Sequence, residues 1–384
     1  MAVRHATGNR ESVDDSGPER TVVTMVDDRE IGFHRTGPER KAHVRMITRS
    51  SMTAVVAMAI ACGGRPGEPL EEMVEGVALV ASRIIAQGPV GGGPETELYR
   101  SQDIELIDDA IAVVDNGNDR IVLLDASLSP IWTTGRTGRG PGEFEGPVAV
   151  RETANGLIVV DIGNSRFTEL DHSGALVRTF GSPHSAMTFG VRSDGAIVIP
   201  ARLESHFAYV VGGESGAVPF AVRDTTFGGT DMFGQKDRPP HVAVTAGDTV
   251  HIFDETTLQL HKFDPSGERR LRLALPEAHR DSLNARSKAT IESLARSGYR
   301  LVGITTGTLK ATRDGRLLLL SRVNLTAGFV IDPHTYQAQR IVMPRDDTEW
   351  APLKGTRSAV LAGSRLIVLH RDSVFVYELT AEGP

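Results

Sequence analysis

The chain has 384 residues, 42 Lys+Arg against 49 Asp+Glu for a formal net charge of −7, 40% hydrophobic residues and one cysteine. An acidic balance argues against a nucleic-acid binder, which would carry a basic face. With one cysteine there is no intrachain disulfide and no cysteine metal cluster, and no segment holds the roughly 20 apolar residues that a membrane-spanning helix needs.

Residues 1–45 show no hydrophobic periodicity and contain SGPER from Ser16 and TGPER from Thr36. Either translation begins at Met46 and these residues are a misassigned extension, the favoured reading, or they form a disordered tail. Lys41, Arg45 and Arg49 then precede an apolar run of eleven residues, Met52 to Cys62, which Gly63, Gly64, Pro66, Gly67 and Pro69 end abruptly. A positive flank, a short apolar core and small residues before a breaker are the features of a secretory signal.

The end of that run, Ala59-Ile60-Ala61-Cys62, resembles the lipobox of bacterial lipoproteins. The resemblance implies cleavage before Cys62, a diacylglycerol thioether on its sulfur and acylation of the new amino group. Two or three acyl chains anchor stably where one does not. The expected organisation is an extension over 1–45, a signal over 46–61, a flexible tether over 62–76 and a folded domain over 77–379. Gly63 lacks the aspartate that resembles an inner-membrane retention signal, so the expected location is the outer membrane, facing the periplasm.

The folded part carries an internal repeat. Asp115, Gly117, Asn118, Arg120 and Asp125 of IAVVDNGNDRIVLLD recur 46 residues later as Asp161, Gly163, Asn164, Arg166 and Asp171 of LIVVDIGNSRFTELD. Each copy reads as strand, Gly/Asn turn, strand, which is a hairpin signal. First strands reappear as DGAIVIP, GDTVHIF, DGRLLLL and GSRLIVL, and second strands as HFAYVV, LQLHKFD, AGFVID and SVFVYEL. Asp171 to Gly174 and Asp264 to Gly267 suit type I turns. The nearly all-apolar first strands imply burial on both faces. Six such units predict an all-β fold, a six-bladed β-propeller. Pro276 to Gly298 predicts a helical insertion on one rim, with Pro276 at its first turn and Gly298 as C-cap. Val77 to Ile85, VALVASRII, has no sequence neighbour to pair with, and is expected to supply the outer strand missing from the last unit.

The motifs VVDNGNDRIVLLD and VVDIGNSRFTELD resemble NHL-type repeats, and GRTGRGPGEFEG from Gly135 resembles the linker of bacterial six-bladed NHL-like propeller lipoproteins. The resemblance implies fold and export, and no one chemistry.

The candidate sites are few. Asp115, Asn118 and Arg120 and their copies are read as turn structure, because a catalytic group is needed once and a turn in every blade. Arg136 and Arg139 lie in the glycine-rich linker, which is read either as an anion cradle or as a connector with Phe144 plugging into the next sheet. Met232 and Phe233 sit in FGGTDMFGQKDRPP, a long loop suited to a ligand or partner. His251 and His370 fall in first strands, where they either face a channel or are hydrogen-bonded core residues. Ser215 in GGESGA breaks the GxSxG nucleophile pattern. No catalytic residue, metal ligand or cofactor is expected. The functional expectation is a monomeric, lipid-anchored, non-catalytic module binding a protein, glycan or small ligand. The alternative resembles the calcium-dependent lactonases, with calcium held at the channel mouth by oxygens from several blades.

Overall fold

A computed structural model of the chain describes residues 70–89, 97–182, 186–200, 206–212, 216–222, 240–254, 257–281, 283, 285, 306–321, 328–342, 356–370 and 372–381. The signal, Cys62, Ser215, Met232 and Phe233 lie outside the described residues.

Three strands come first: β1 Glu71–Glu72, β2 Val74–Glu75 and β3 Leu79–Pro89. The antiparallel meanders follow. The first comprises β4 Asp103–Ile107, β5 Ala110–Asp115, β6 Arg120–Leu124 and β7 Pro130–Thr134. The second comprises β8 Pro147–Thr153, β9 Gly156–Asp161, β10 Arg166–Asp171 and β11 Leu176–Gly181. The third is β12 Gly190–Val191, β13 Ile197–Pro200, β14 His206–Val211 and β15 Ala217–Val222. The fourth is β16 His241–Thr245, β17 Thr249–Asp254, β18 Gln259–Phe263 and β19 Arg269–Ala274. The fifth is β20 Thr306–Ala311, β21 Leu317–Ser321, β22 Gly328–Asp332 and β23 Gln337–Val342. The last is β24 Thr356–Ala362, β25 Arg365–His370 and β26 Ser373–Ala381. The fold is thus all-β and propeller-like, and the leading strands β4, β8, β12, β16, β20 and β24 touch one another in that order, with β24 returning to β4.

Apolar clusters lie between consecutive meanders, and side-chain alternation explains how. On β5, Ile111 and Val113 enter the cluster shared with the last meander, while Ala112 and Val114 enter the one shared with the second. On β9, Leu157 and Val159 face back, whereas Ile158 and Val160 face forward. Successive side chains of a strand point to opposite faces, so a strand packed on both sides reads as an unbroken apolar run. Each such strand is the second of its meander, not the first. The structural units therefore begin one strand before those the sequence pattern predicts, because the leading strand lacks the motif.

The repeated motif has a structural task. Asp115, fully buried, accepts from the Tyr99 amide at 2.7 Å, Asn118 Nδ2 at 2.9 Å and Arg120 Nε at 2.7 Å. Asn118 and Arg120 also donate to the Glu97 carbonyl. In the second copy Asp161 accepts from the Glu145 amide at 3.0 Å and Asn164 at 2.6 Å, and Arg166 donates to the carbonyls of Arg139, Gly140 and Glu143. The motif therefore grips the incoming linker. Gly117 and Gly163 are required by close approach: a Cβ at Gly163 would stand 2.0 Å from the Glu145 carbonyl oxygen, and one at Gly117 2.6 Å from that of Tyr99. The left-handed turn residues are Asp119 and Ser165, both at φ 50, not the Asn of the motif, whose side chain is engaged instead. Asp171 and Asp264 do form the expected turns, with Gly174 and Gly267 amides returning to their carbonyls at 2.9 and 3.0 Å.

The N-terminal strands lace the outer edges. β1 pairs parallel with β19, β2 parallel with β23, and β3 parallel with β23 and antiparallel with β26 over Ser373 to Ala381. This last pairing supplies the outer strand of the last meander, as expected, and merges it with the fifth into one sheet. Strand pairing begins at Glu71, inside the stretch read as a tether. Met73 is 3% exposed and packs among Leu273, Phe329 and neighbours. The insertion is helical over 277–281, 283 and 285; Glu72 Oε1 accepts the Glu277 amide at 2.6 Å, which satisfies a free donor of its first turn, and Leu283 is buried. The rest of that insertion lies outside the described residues.

Candidate functional site

The leading strands carry the charged groups that converge inside the ring. Asp103 and Glu105 are two apart on β4 and therefore share a face. Arg151 comes from β8, Lys310 from β20 and Ser358 from β24. Lys310 Nζ lies 2.9 Å from Asp103 Oδ1 and 3.4 Å from Glu105 Oε2. Arg151 Nη1 lies 2.7 Å from Asp103 Oδ2 and 3.6 Å from Glu105 Oε2. Ser358 Oγ donates to Asp103 Oδ1 at 2.5 Å, and the Val150 amide to Oδ2 at 3.1 Å. Lys310 also donates to the Ile104 carbonyl. One carboxylate thus joins four meanders.

The two acids respond oppositely to this setting. Burial alone would raise Asp103, but the Lys310 and Arg151 charges, with the Ser358 and Lys310 hydrogen bonds, hold its carboxyl down at about 2. Glu105 is pushed above the ordinary value, chiefly by desolvation, which the more distant Lys310 and Arg151 do not fully offset. Hydrogen bonding and close opposite charge favour the charged form, and burial disfavours it.

A cavity of about 270 Å³ opens over this cluster, and every leading strand contributes to its wall, through Glu105, Arg151, Val191, Thr245, Lys310 and Val360 among others. At its rim Arg313 pairs with Glu152 at 3.2 Å, and the Asp108 amide donates to the same carboxylate. His251, expected as a channel or core residue, is a core residue on β17: it is fully buried and its Nε2 sits 3.0 Å from Thr245 Oγ1, behind the wall. Desolvation, with Lys262 and His334 nearby, lowers its pKa to about 3, so it is neutral. His370 lies on β25, a second strand, beside Phe375.

Arg136 and Arg139 stay exposed and pair with the linker's own Glu143 and Glu145, each at 2.8 Å. The amides an anion would need there are engaged: Gly138 with the Phe144 carbonyl, Gly140 with Glu143 Oε2 and Gly146 with Asp119. Phe144 is fully buried against Val150 and Leu157. Fully burying such a ring is worth about 1.5–3 kcal/mol, which suits a connector.

Among the described residues no group of three or more His, Cys, Asp and Glu side chains is placed to hold a metal ion. The two channel carboxylates face the chain's own ammonium and guanidinium groups, so this donor set does not fit calcium, which needs several free oxygens. Among those residues, too, no helix is long and apolar enough to cross a membrane.

No family model and no curated protein sequence matches the chain. Solved structures do. Virginiamycin B lyase from Staphylococcus aureus is similar at 11% identity and a TM-score of 0.46, over 76% of this chain and 83% of that one. A gluconolactonase from Xanthomonas campestris is similar at 13% identity and a TM-score of 0.46, over 82% and 99%. A protein of Bacteroides fragilis described as exported is similar at 10% identity and a TM-score of 0.49, over 82% and 99%.

Asp103, Glu105, Arg151, Lys310 and Ser358 are not among the candidate residues that the sequence pattern marks. One signal was present: acid at alternate positions in DIELI, a pattern that an inward-facing polar strand edge requires.

Proposed function

We propose that the meanders are the six blades of one propeller, exported and held at the outer membrane by acyl chains on Cys62, and that it is a non-catalytic module binding a small ligand in its channel. The six-blade reading is supported by the closed order of leading strands and by apolar clusters between consecutive meanders, including the last and the first. The observation that carries the binding reading is the cavity lined by all leading strands, whose charges neutralise one another. Lys310 holds its ammonium against Asp103 and the Ile104 carbonyl, so that group is not poised for a developing oxyanion. Arg136, Arg139, Met232 and Phe233 are the proposed surface contacts for a larger partner.

Calcium titration of the purified soluble form, read by melting, tests the reading against a calcium-dependent lactonase. A ligand of the folded state raises stability by mass action. A flat response with no lactone or ester turnover supports binding, whereas a calcium-dependent shift with chelator-sensitive turnover establishes the hydrolase. For the anchor, expression from Met46 with labelled fatty acid should mark the protein, and Cys62→Ala that still fractionates with membrane at the same size refutes it.

A further inference from the structure

The hydrogen-bonding groups on the cavity wall determine what kind of molecule it can hold. Glu105 on the wall, with its strand neighbour Asp103, stands against two bases, Arg151 and Lys310, and at the rim Glu152 stands against Arg313. An anion entering this wall would compete with the carboxylates for their cations, and a cation would compete with Lys310 and Arg151. Drawing one member of a buried ion pair away leaves the other uncompensated, which is strongly unfavourable. A charged ligand is therefore opposed from either side.

Two groups keep unused capacity. Arg151 has five N–H donors; Nε reaches the Phe189 carbonyl, Nη1 reaches Asp103 and the Val150 carbonyl, and Nη2 reaches Thr188 Oγ1. One Nη2 hydrogen meets no acceptor among the described residues. Glu105 Oε1 accepts its neighbour's Leu106 amide at 3.2 Å, while Oε2 stands 3.4 and 3.6 Å from the two cations, beyond the usual reach of a strong N–H···O bond. Its desolvated carboxyl still has acceptor positions open. An available donor beside an available acceptor is the complement of a hydroxyl group, which gives and takes at once. Val191 and Val360 supply apolar wall on which C–H faces can lie. At about 270 Å³ the space lies just under the roughly 300–1,000 Å³ of sites for drug-sized molecules, so the ligand is small.

We infer that the channel takes a small uncharged polyol, with a hydroxyl bridging Glu105 as acceptor and the Arg151 Nη2–H as donor. This rests on the reading of the channel as a binding site.

The test uses three cyclohexane polyols that differ in charge: myo-inositol, the anion quinate and the cation scyllo-inosamine. Each is titrated against the purified protein by saturation-transfer NMR. Neutral myo-inositol should bind at least about tenfold more tightly than either charged probe, a difference of about 1.4 kcal/mol. Ala246→Trp, an exposed residue at the cavity mouth, should abolish the signal without altering the melt. Glu105→Gln removes one negative charge, so the preference should move toward quinate. A charged probe that binds wild type better overturns the polyol class while leaving a binding channel. Binding that survives Ala246→Trp, or no binding by any probe, also overturns the assignment. Calcium-dependent lactone turnover with intact myo-inositol binding would instead defeat the non-catalytic reading and leave the ligand class standing.

Discussion

Replacing Asp103 by Asn should be among the most destabilising single changes in the domain. Asp103 is 6% exposed and Lys310 3%, so neither can turn to water when its partner is lost. The depression of Asp103 from an ordinary 3.8 to about 2 corresponds to about 2.5 kcal/mol of native-state preference for the charged form. Asn forfeits that preference and also leaves Lys310 and Arg151 with one carboxylate between them, which brings the expected loss to about 3–5 kcal/mol. Equilibrium urea unfolding at neutral pH measures it, as a lower midpoint at unchanged slope. The pH course follows from the sign of the shift. A carboxyl whose folded pKa is depressed stabilises the fold fully above its unfolded value and loses that contribution as pH falls through the folded one. The gap between wild type and Asp103→Asn should therefore narrow between about pH 4 and pH 2. A loss under about 1 kcal/mol at neutral pH, or a gap that does not change with acid, would refute the view that these charges fasten the ring.

Gly163→Ala should cost about 2 kcal/mol or more, since its Cβ would meet the Glu145 carbonyl oxygen at 2.0 Å, and a melt lowered by less than about 2 °C would mean the linker yields freely. His251, held near 3 by burial, is a base that the folded state refuses to protonate. Its destabilising effect is absent above about 6.5 and grows as pH falls toward 3, so His251→Gln should soften acid unfolding in that window, and parallel wild-type and variant curves would refute this. Met73→Ala should cost about 2–5 kcal/mol in urea by opening a cavity under the N-terminal strands; a neutral result would show that these strands add pairing without packing.

What was legible in the sequence tracked repetition. The second and third strands of the first two meanders share a motif because each grips its incoming linker, and the 46-residue offset exposed that at once. The leading strands share no such motif. DIELI, VAVRE and TLKA carry charges for different positions around one channel, and charges within a strand read locally as solvated surface. Asp103 and Lys310 are 207 positions apart, so nothing local signals their pairing. β1 and β2 are two residues each, too short for any periodicity. Val77 to Ile85 was legible for a different reason: an apolar strand with no neighbour must find a distant one.

That distant partner fixes when the fold can close. β3 is made early, yet its antiparallel mate β26 is Ser373–Ala381, nearly the whole domain later. Until those residues emerge, β3 presents an open edge, and the last meander has no outer strand. Open edges of this kind recruit other chains, and pairings between distant segments are slow to form. The emerging polypeptide therefore carries its adhesive strand ahead of everything that will sheathe it. Chaperone occupancy during synthesis should concentrate on residues 79–89, and a chain truncated before Ser373 should remain a chaperone client.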